Sequence, residues 1–176
     1  MKKTIVTTFS DSNYFYLLKE LISSIKRFPE SSDISIGVLD GGLDDGQLEF
    51  LNKNVNYVKK AKWDIHVNKA RVRGRDYLKN HVSRAFLPEY FPGYDRYIWL
   101  DCDTWVNDWK AIEYLIKGCE DGKLAAVQTI APGYRDIGRV KWLFKSIAII
   151  KTQNYKHAIS SGFSKEIAQK IAFAPN

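Results

Sequence analysis

Residues 97–108 read YIWLDCDTWVND, an apolar run that leads directly into two closely spaced aspartates. The residues from Tyr97 to Leu100 carry almost no polar group, which predicts a central β-strand covered on both faces. Asp101 and Asp103 follow, and two carboxylates this close disfavour joint ionisation. Mn²⁺ or Mg²⁺ would remove that conflict, because both ions take carboxylate oxygens as ligands. The stretch therefore predicts a strand whose carboxyl end holds a cation able to bind a diphosphate, with a solvated turn as the alternative.

Hydrophobic patterning on either side of this stretch alternates between strand and helix. It predicts strands at 4–8, 34–39, 55–58, 97–100 and 124–129. It predicts helices between them, at 14–28, 43–51, 75–91 and 109–116. Residues beyond 129 are predicted to be helical and basic. This order indicates an α/β sandwich with a largely parallel sheet. Ligands of such sheets bind outside the carboxyl ends of the strands, so Thr8, Leu39 and Asp101 are expected at one edge.

The charge, the apolar runs and the cysteines of the chain limit which partners and which cellular location we expect. The 176 residues carry a net charge of +7, and nine basic residues against two acidic ones lie between Lys59 and Arg84. That segment suits phosphate, diphosphate, anionic lipid or nucleic acid, although a solvated basic face is equally consistent with it. No apolar run of the length needed to span a membrane occurs. The two cysteines, Cys102 and Cys119, lack metal-ligand or redox spacing, so we expect no disulfide and a cytoplasmic location.

Four stretches together resemble one family of enzymes. They are TIVTTFSDSNY (4–14), ISIGVLDGGLDDGQLEFL (34–51), SRAFLPEYFPGYDRYIWLDCDTWVND (83–108) and KLAAVQT (123–129). In this order they resemble the retaining nucleotide-sugar glycosyltransferases of the glycogenin and lipooligosaccharide galactosyltransferase group, glycosyltransferase family 8, which have a GT-A fold. The resemblance spans about residues 3–130 and is much more specific than Asp-x-Asp alone. It implies a Rossmann-like α/β/α sandwich around a mostly parallel central sheet.

The resemblance also implies roles for individual residues. Asp101 and Asp103 would coordinate Mn²⁺ or Mg²⁺, and Arg84 would lie near the diphosphate or the donor sugar. The residues implied to contact the nucleotide are Thr8, Phe9 and Ser10 at the base, Asp11, Asn13 and Tyr14 at the uracil or ribose, and Asp101 and Cys102 beside the ribose. Simpler roles compete with these: Asp11 and Asn13 can cap the next helix, Tyr14 can belong to the core, and Arg84 can be an ordinary surface residue.

By the same resemblance, the chain would transfer a sugar from a nucleotide diphosphate, UDP above all, to a hydroxyl of a carbohydrate or glycolipid, with retention. No catalytic nucleophile is identified. His81 and Val82 stand where the family often has a threonine-tyrosine pair. The F-N-x-G-V strand and the late histidine of the family are not found, so residues 1–176 are expected to form a single nucleotide-sugar-binding domain without the acceptor-side half. Peripheral attachment to the inner face of a membrane stays open, as does the oligomeric state, and nucleic acid is not expected as a partner.

Two other classes of function compete with the glycosyltransferase. The basic segment from Lys59 to Arg84, in which Trp63 and Tyr77 are interleaved, is compatible with a nucleotide- or polyanion-binding module without turnover. A haloacid-dehalogenase-type phosphatase also places Asp-x-Asp after a hydrophobic strand. In that group a glycine-threonine pair usually follows, whereas Thr104 and Trp105 follow here, and the motif usually lies near the N-terminus. Both differences favour the glycosyltransferase.

Overall fold

Four parallel strands form a sheet in the part of the chain that the structure describes. The computed structural model describes residues 2–67, 72, 74–122 and 124–126. The strands are β1 (Thr4–Ser10), β2 (Ile34–Asp40), β3 (Tyr57–Lys60) and β4 (Arg96–Trp99). They lie in the order β3-β2-β1-β4, and each of the three neighbouring pairs is parallel. The mostly parallel sheet predicted from the sequence is confirmed.

Helices follow the strands, as the alternating pattern predicts. They are α1 (Phe15–Lys26), α2 (Asp45–Asn54), α3 (Lys79–Ser83), α4 (Leu87–Tyr90) and α5 (Lys110–Gly118). Short 3₁₀ helices cover Ser12–Tyr14, Pro29–Asp33, Asp76–Leu78, Arg84–Phe86 and Glu120–Gly122. In α1 the apolar residues recur every three or four positions and are buried together, so one face of the helix packs on the sheet. A capping box between Asp44 and Gln47 starts α2.

The core lies on both faces of the sheet, because successive side chains of a strand point to opposite faces. On one face, strand residues such as Val6 and Ile98 pack with Leu21 of α1 and Ile112 of α5. On the other face, the buried cluster comprises Ile5, Phe9, Leu39, Ala61, Leu87, Tyr90 and Phe91, with Tyr97 and Trp99 packed against it. The prediction that residues 97–100 are covered on both faces is therefore confirmed.

Four expectations differ from the structure or lie beyond it. β4 is the outermost of the four described strands rather than a central one. The strand predicted at 124–129 is not formed at 124–126, and 127–129 lie outside the described residues, as does the helical segment expected after 129. The single helix predicted at 75–91 is a series of shorter segments. Within the described part of the chain, no helix is long and apolar enough to cross a membrane.

Contacts between residues divide the chain into two units. The first comprises Met1–Asp64 and Tyr77–Ala126, and it contains the sheet and every predicted site residue. The second comprises Ile65–Asp76 and Val127–Asn176. Its described part includes a turn at Gly74, whose φ of 71° favours glycine, and both the backbone N–H and the Nε of Arg75 donate to the carbonyl of Val72. The single domain expected over 1–176 stays a prediction.

Candidate functional site

The carboxyl ends of β1, β2 and β4 lie at the same edge of the sheet. Ser10 is paired in register with Asp40, and Thr7 is paired with Trp99. The chain leaves this edge through three loops, which begin at Asp11, Gly41 and Leu100. Parallel strands thus bring residues from distant parts of the sequence to the place where open α/β sheets bind their ligands.

The loop after β1 is closed by Asp11. Its Oδ1 accepts hydrogen bonds from the backbone N–H groups of Asn13 (2.9 Å) and Tyr14 (3.3 Å). Asp11 is thus the N-cap of the 3₁₀ helix Ser12–Tyr14, which is the capping role weighed for it from the sequence. The side chain of Asn13 is exposed, and the ring of Tyr14 is 52% exposed. The loop therefore presents an amide and an aromatic ring at this edge of the sheet.

The last three residues of β1 lie beneath this loop rather than on its surface. Thr8, Phe9 and Ser10 are all buried. The Oγ1 of Thr8 has no hydrogen-bond partner among the described residues. Phe9 packs so closely under the next loop that a Cβ on Gly41 would lie 2.2 Å from its ring. These residues therefore support the loops from below.

The loop after β2 is fixed by the buried carboxylate of Asp40. It accepts hydrogen bonds from the backbone N–H groups of Gly42 and Leu43, both at 2.7 Å, and from Nζ of Lys60 at 2.8 Å. Burial acts to raise the pKa of Asp40, but these hydrogen bonds and the Lys60 charge outweigh burial and hold the pKa below its ordinary value. The carbonyl of Gly42 in turn accepts a hydrogen bond of 2.7 Å from the Ser12 hydroxyl. This bond joins the loop after β2 to the loop after β1.

Asp101 is the centre of a cluster of three side chains. Its Oδ1 accepts from Nη2 of Arg84 at 2.6 Å and from Nε1 of Trp99 at 2.8 Å. The guanidinium carbon of Arg84 also lies 4.8 Å from the centroid of the Trp99 ring. The other carboxylate oxygen, Oδ2, has no hydrogen-bond partner in the described part of the chain. The structure thus brings together Arg84 and Asp101, two residues singled out from the sequence.

Asp103 lies in a tight turn, so the two aspartates do not follow the alternation of an extended strand. Both the backbone N–H and the hydroxyl of Thr104 donate to the carbonyl of Asp101, at 3.0 and 2.6 Å. The side chain of Asp103 is exposed. No group of three or more histidine, cysteine, aspartate or glutamate side chains within the described ranges is placed to hold a metal ion. The two aspartates supply hard carboxylate oxygens of the kind that Mn²⁺ and Mg²⁺ take, and a diphosphate would supply further oxygens.

Cys102 connects the turn to the loop after β1. Its half-buried side chain packs against the cluster around Leu18, Val38 and Leu43. Burial and the neighbouring charges of Asp103 and Asp101 raise the pKa of its thiol, while a hydrogen bond with Ser10 acts in the opposite direction. The thiol therefore stays protonated at neutral pH and is a poor nucleophile or metal ligand.

The reading of the sequence missed Trp99, a member of the cluster around Asp101, and His81, a residue near it. Trp99 precedes Asp101 by two positions, and strand alternation is the signal that could have placed both on one face. His81 precedes Arg84 by three positions on the same helical segment, which is a neighbouring position on a helix surface. Its pKa is lowered by burial and by the charge of Arg84, whereas the charge of Asp101 raises it. The sequence analysis gave His81 no role in the site.

The α/β sheet, with a carboxylate and a guanidinium at the carboxyl ends of its parallel strands, is compatible with the GT-A fold that the resemblance implies. The model of Glycosyl transferase family 8 matches residues 5–169, and the chain belongs to that family. The resemblance seen in the sequence is thereby confirmed, and family membership decides against the phosphatase alternative. No curated protein matches the chain significantly.

One solved structure bears on the fold, and a second is less similar. A crystal structure of the galactosyltransferase LgtC with donor and acceptor sugar analogs is similar at a TM-score of 0.50 and 14% identity, over 97% of this chain and 70% of that one. A structure of an active-site mutant of LgtC is similar at a TM-score of 0.45 and 17% identity, over 62% of this chain. The chain spans 41% of the length of that mutant structure. At these identities the likeness bears on the fold alone.

Proposed function

We propose that this chain binds a nucleoside diphosphate sugar, specifically a UDP-sugar, together with Mn²⁺ or Mg²⁺, and that it transfers the sugar with retention to a carbohydrate hydroxyl. The observation that carries the proposal is the pairing of Arg84 with Asp101 at the carboxyl edge of the sheet, beside the loop 11–14. A carboxylate with one unengaged oxygen and a partly exposed guanidinium are complementary to a cation and a diphosphate.

Each residue has a defined part in the proposed site. Asp101, through Oδ2, and Asp103 would hold the cation, which supplies positive charge to the departing diphosphate. Arg84 would donate to the diphosphate oxygens and balance the charge that develops as the sugar leaves. Tyr14 and Asn13 would contact the uracil and ribose from the loop after β1.

The residues beneath these groups would act by support. Thr8, Phe9 and Ser10 would hold the base-binding loop from below, since all three are buried. Asp11 would keep the loop folded through its cap, and Cys102 would offer its backbone to the ribose, because its thiol is turned toward Ser10 and the core. LgtC has been crystallised with donor and acceptor sugar analogs, which supports a nucleotide-sugar donor and a carbohydrate acceptor for this member of the family.

Titration calorimetry with UDP, in the presence and absence of Mn²⁺, tests the proposal. We expect UDP to bind more tightly with Mn²⁺, and Asp101→Asn or Asp103→Asn to weaken the Mn²⁺-dependent part by on the order of 100-fold, since even outer partners of a metal site contribute 10- to 100-fold. Asp108→Asn is the matched control, because Asp108 is an exposed aspartate of the same loop that caps Lys110 instead. A UDP affinity that Mn²⁺ does not change, or the same affinity for UDP with Mn²⁺ in all three variants, would contradict the proposal.

Turnover is measured separately as UDP release from UDP-glucose and UDP-galactose, with simple sugars as acceptors. Release that depends on both Mn²⁺ and an acceptor supports the transferase. Tight Mn²⁺-dependent binding of UDP without any release would instead favour the alternative of a donor-binding module without turnover.

A further inference from the structure

Trp99 occupies a distinctive position at the end of β4. It is the last residue of the strand, paired in register with Thr7, and it lies beside Asp101, which follows two positions later. Its ring packs against the cluster of Phe9 and Leu87 and is only half-buried. One side of the indole therefore rests on the core, and its N–H reaches the carboxyl edge.

The indole makes two contacts with the proposed site at once. Its Nε1 donates to Oδ1 of Asp101 at 2.8 Å, and its ring lies 4.8 Å from the guanidinium carbon of Arg84. Arg84 also donates to the same Oδ1 at 2.6 Å. The three side chains thus form a closed triangle in which each member touches the other two.

These contacts limit the orientation of the carboxylate. Asp101 is about half-exposed, with a side-chain accessibility of 49%, so without a neighbour it would sample several rotamers. The indole N–H is a donor that carries no formal charge, and it does not compete with a cation for the carboxylate as the guanidinium does. If Arg84 turns to a diphosphate, Trp99 still holds Oδ1, and Oδ2 is left for the cation.

We propose that Trp99 is a positioning residue of the donor site: its N–H fixes the Asp101 carboxylate for the cation, and its ring supports the Arg84 guanidinium for the diphosphate. This rests on the proposed function of the site. Preorganisation of this kind lowers the entropic cost of binding, because the ligating groups need not be ordered when the ligand arrives.

Two substitutions separate the two contacts. Trp99→Phe keeps an aromatic face under Arg84 and removes the N–H, whereas Trp99→Leu removes both. We expect Trp99→Phe to weaken Mn²⁺ binding at saturating UDP by about 10- to 100-fold, the effect of losing one hydrogen bond to a charged group. UDP affinity without metal should change by less than about 2-fold in Trp99→Phe and fall further in Trp99→Leu, since a cation–π contact is lost only in the latter.

A spectroscopic signal tests the hydrogen bond without using metal affinity. The chain has 5 tryptophans, and a ¹H–¹⁵N spectrum resolves their indole N–H signals, with that of Trp99 assigned by its absence from Trp99→Phe. We expect this signal to move upfield in Asp101→Asn, because the carboxylate acceptor is replaced by a weaker one. Trp105→Phe is the matched control: Trp105 is exposed, and its removal should alter neither the Trp99 signal nor Mn²⁺ affinity.

The possible failures can be told apart. Wild-type Mn²⁺ affinity in Trp99→Phe, or a Trp99 signal that Asp101→Asn leaves in place, overturns the positioning role while the donor site itself stands. A wild-type chain that binds no Mn²⁺ in the presence of UDP overturns both proposals. An equal loss of affinity in Trp105→Phe would assign the effect to general destabilisation and also refute the positioning role.

Discussion

Replacing Arg84 by methionine should separate binding from stability. The substitution retains much of the aliphatic stem and removes the guanidinium that pairs with Asp101 at 2.6 Å and lies 4.8 Å from the Trp99 ring. The side chains of Arg84 and Asp101 are 37% and 49% exposed. Solvent screens an ion pair at this exposure, so it is worth at most about 1 kcal/mol, and an exposed cation–π contact adds about 0.5–1 kcal/mol.

The expected loss of folding stability is therefore about 1 kcal/mol, which lowers the melting temperature by about 2–4 °C for a chain of this size. The expected loss in binding is larger. A guanidinium that donates to a diphosphate makes a charge-assisted hydrogen bond worth about 1.5–3 kcal/mol, so the affinity for UDP with Mn²⁺ should fall by about 10- to 100-fold.

Thermal denaturation and UDP calorimetry on the same preparations measure the two effects. Arg84→Lys is the matched control: it keeps the charge and loses the planar fork, so its affinity should lie between those of wild type and Arg84→Met. The reasoning is refuted if Arg84→Met binds UDP with Mn²⁺ as wild type does. It is also refuted if the variant loses several kcal/mol of stability, because the contacts would then serve the fold.

Three further predictions concern the support of the site. Asp40→Asn should lower the free energy of unfolding at neutral pH by about 1.5–3 kcal/mol, as measured by urea unfolding. The folded-state pKa of Asp40 lies below the ordinary 3.8. The difference between wild type and variant should therefore persist down to about pH 4 and disappear as the pH falls through the folded-state pKa. Gly41→Ala should cost about 1–3 kcal/mol, since the new Cβ would lie 2.2 Å from the Phe9 ring, whereas Gly46→Ala within α2 meets nothing closer than 3.5 Å and should stabilise by about 0.4–1 kcal/mol in the same unfolding assay. Tyr90→Phe should cost about 1.5–3 kcal/mol in chemical denaturation, because the hydroxyl donates at 2.9 Å to the buried Asp64 carboxylate; a loss under about 0.5 kcal/mol would show that Asp64 finds another partner.

The sequence predicted the bounds of an element well where its local pattern agrees with the burial of its side chains. The β-branched run from Thr4 and the apolar spacing of α1 predicted both elements to within two residues, because their side chains pack directly on the sheet. The prediction for β3 was two residues early. Asn56 exchanges hydrogen bonds with Ile36, through its backbone N–H at 3.0 Å and its side chain at 2.7 Å, and the ladder begins only at Tyr57. That register depends on β2, which no local pattern encodes.

The helix predicted at 75–91 shows how local side-chain chemistry interrupts a periodic pattern. The hydroxyl of Ser83 donates to the carbonyl of Lys79 at 2.9 Å, a contact that competes with the regular helical ladder. A 3₁₀ helix follows at Arg84–Phe86, and Pro88 lies in the first turn of α4, where its missing N–H costs nothing. The apolar spacing gave no sign of the interruption at Ser83.

In the site, the structure brings Arg84 into contact with Asp101, which the sequence could not show; the binding roles of both residues stay predictions. Arg84 reaches Asp101 because the chain between them forms α4 and β4, which is a property of the tertiary fold. The relation of Asp101 to Asp103 is set by the turn that Thr104 closes, since the strand ends at Trp99. The residues after 129, which were expected to be helical and basic, lie outside the described part of the chain.

The most direct test of the central claim is the anomalous scattering of manganese in crystals of this chain grown with UDP. The account predicts a manganese peak within about 2.5 Å of carboxylate oxygens of both Asp101 and Asp103, with the diphosphate on the same ion and the uracil beside Tyr14. A nucleotide bound elsewhere on the chain, or a manganese ion that touches neither aspartate, would contradict it.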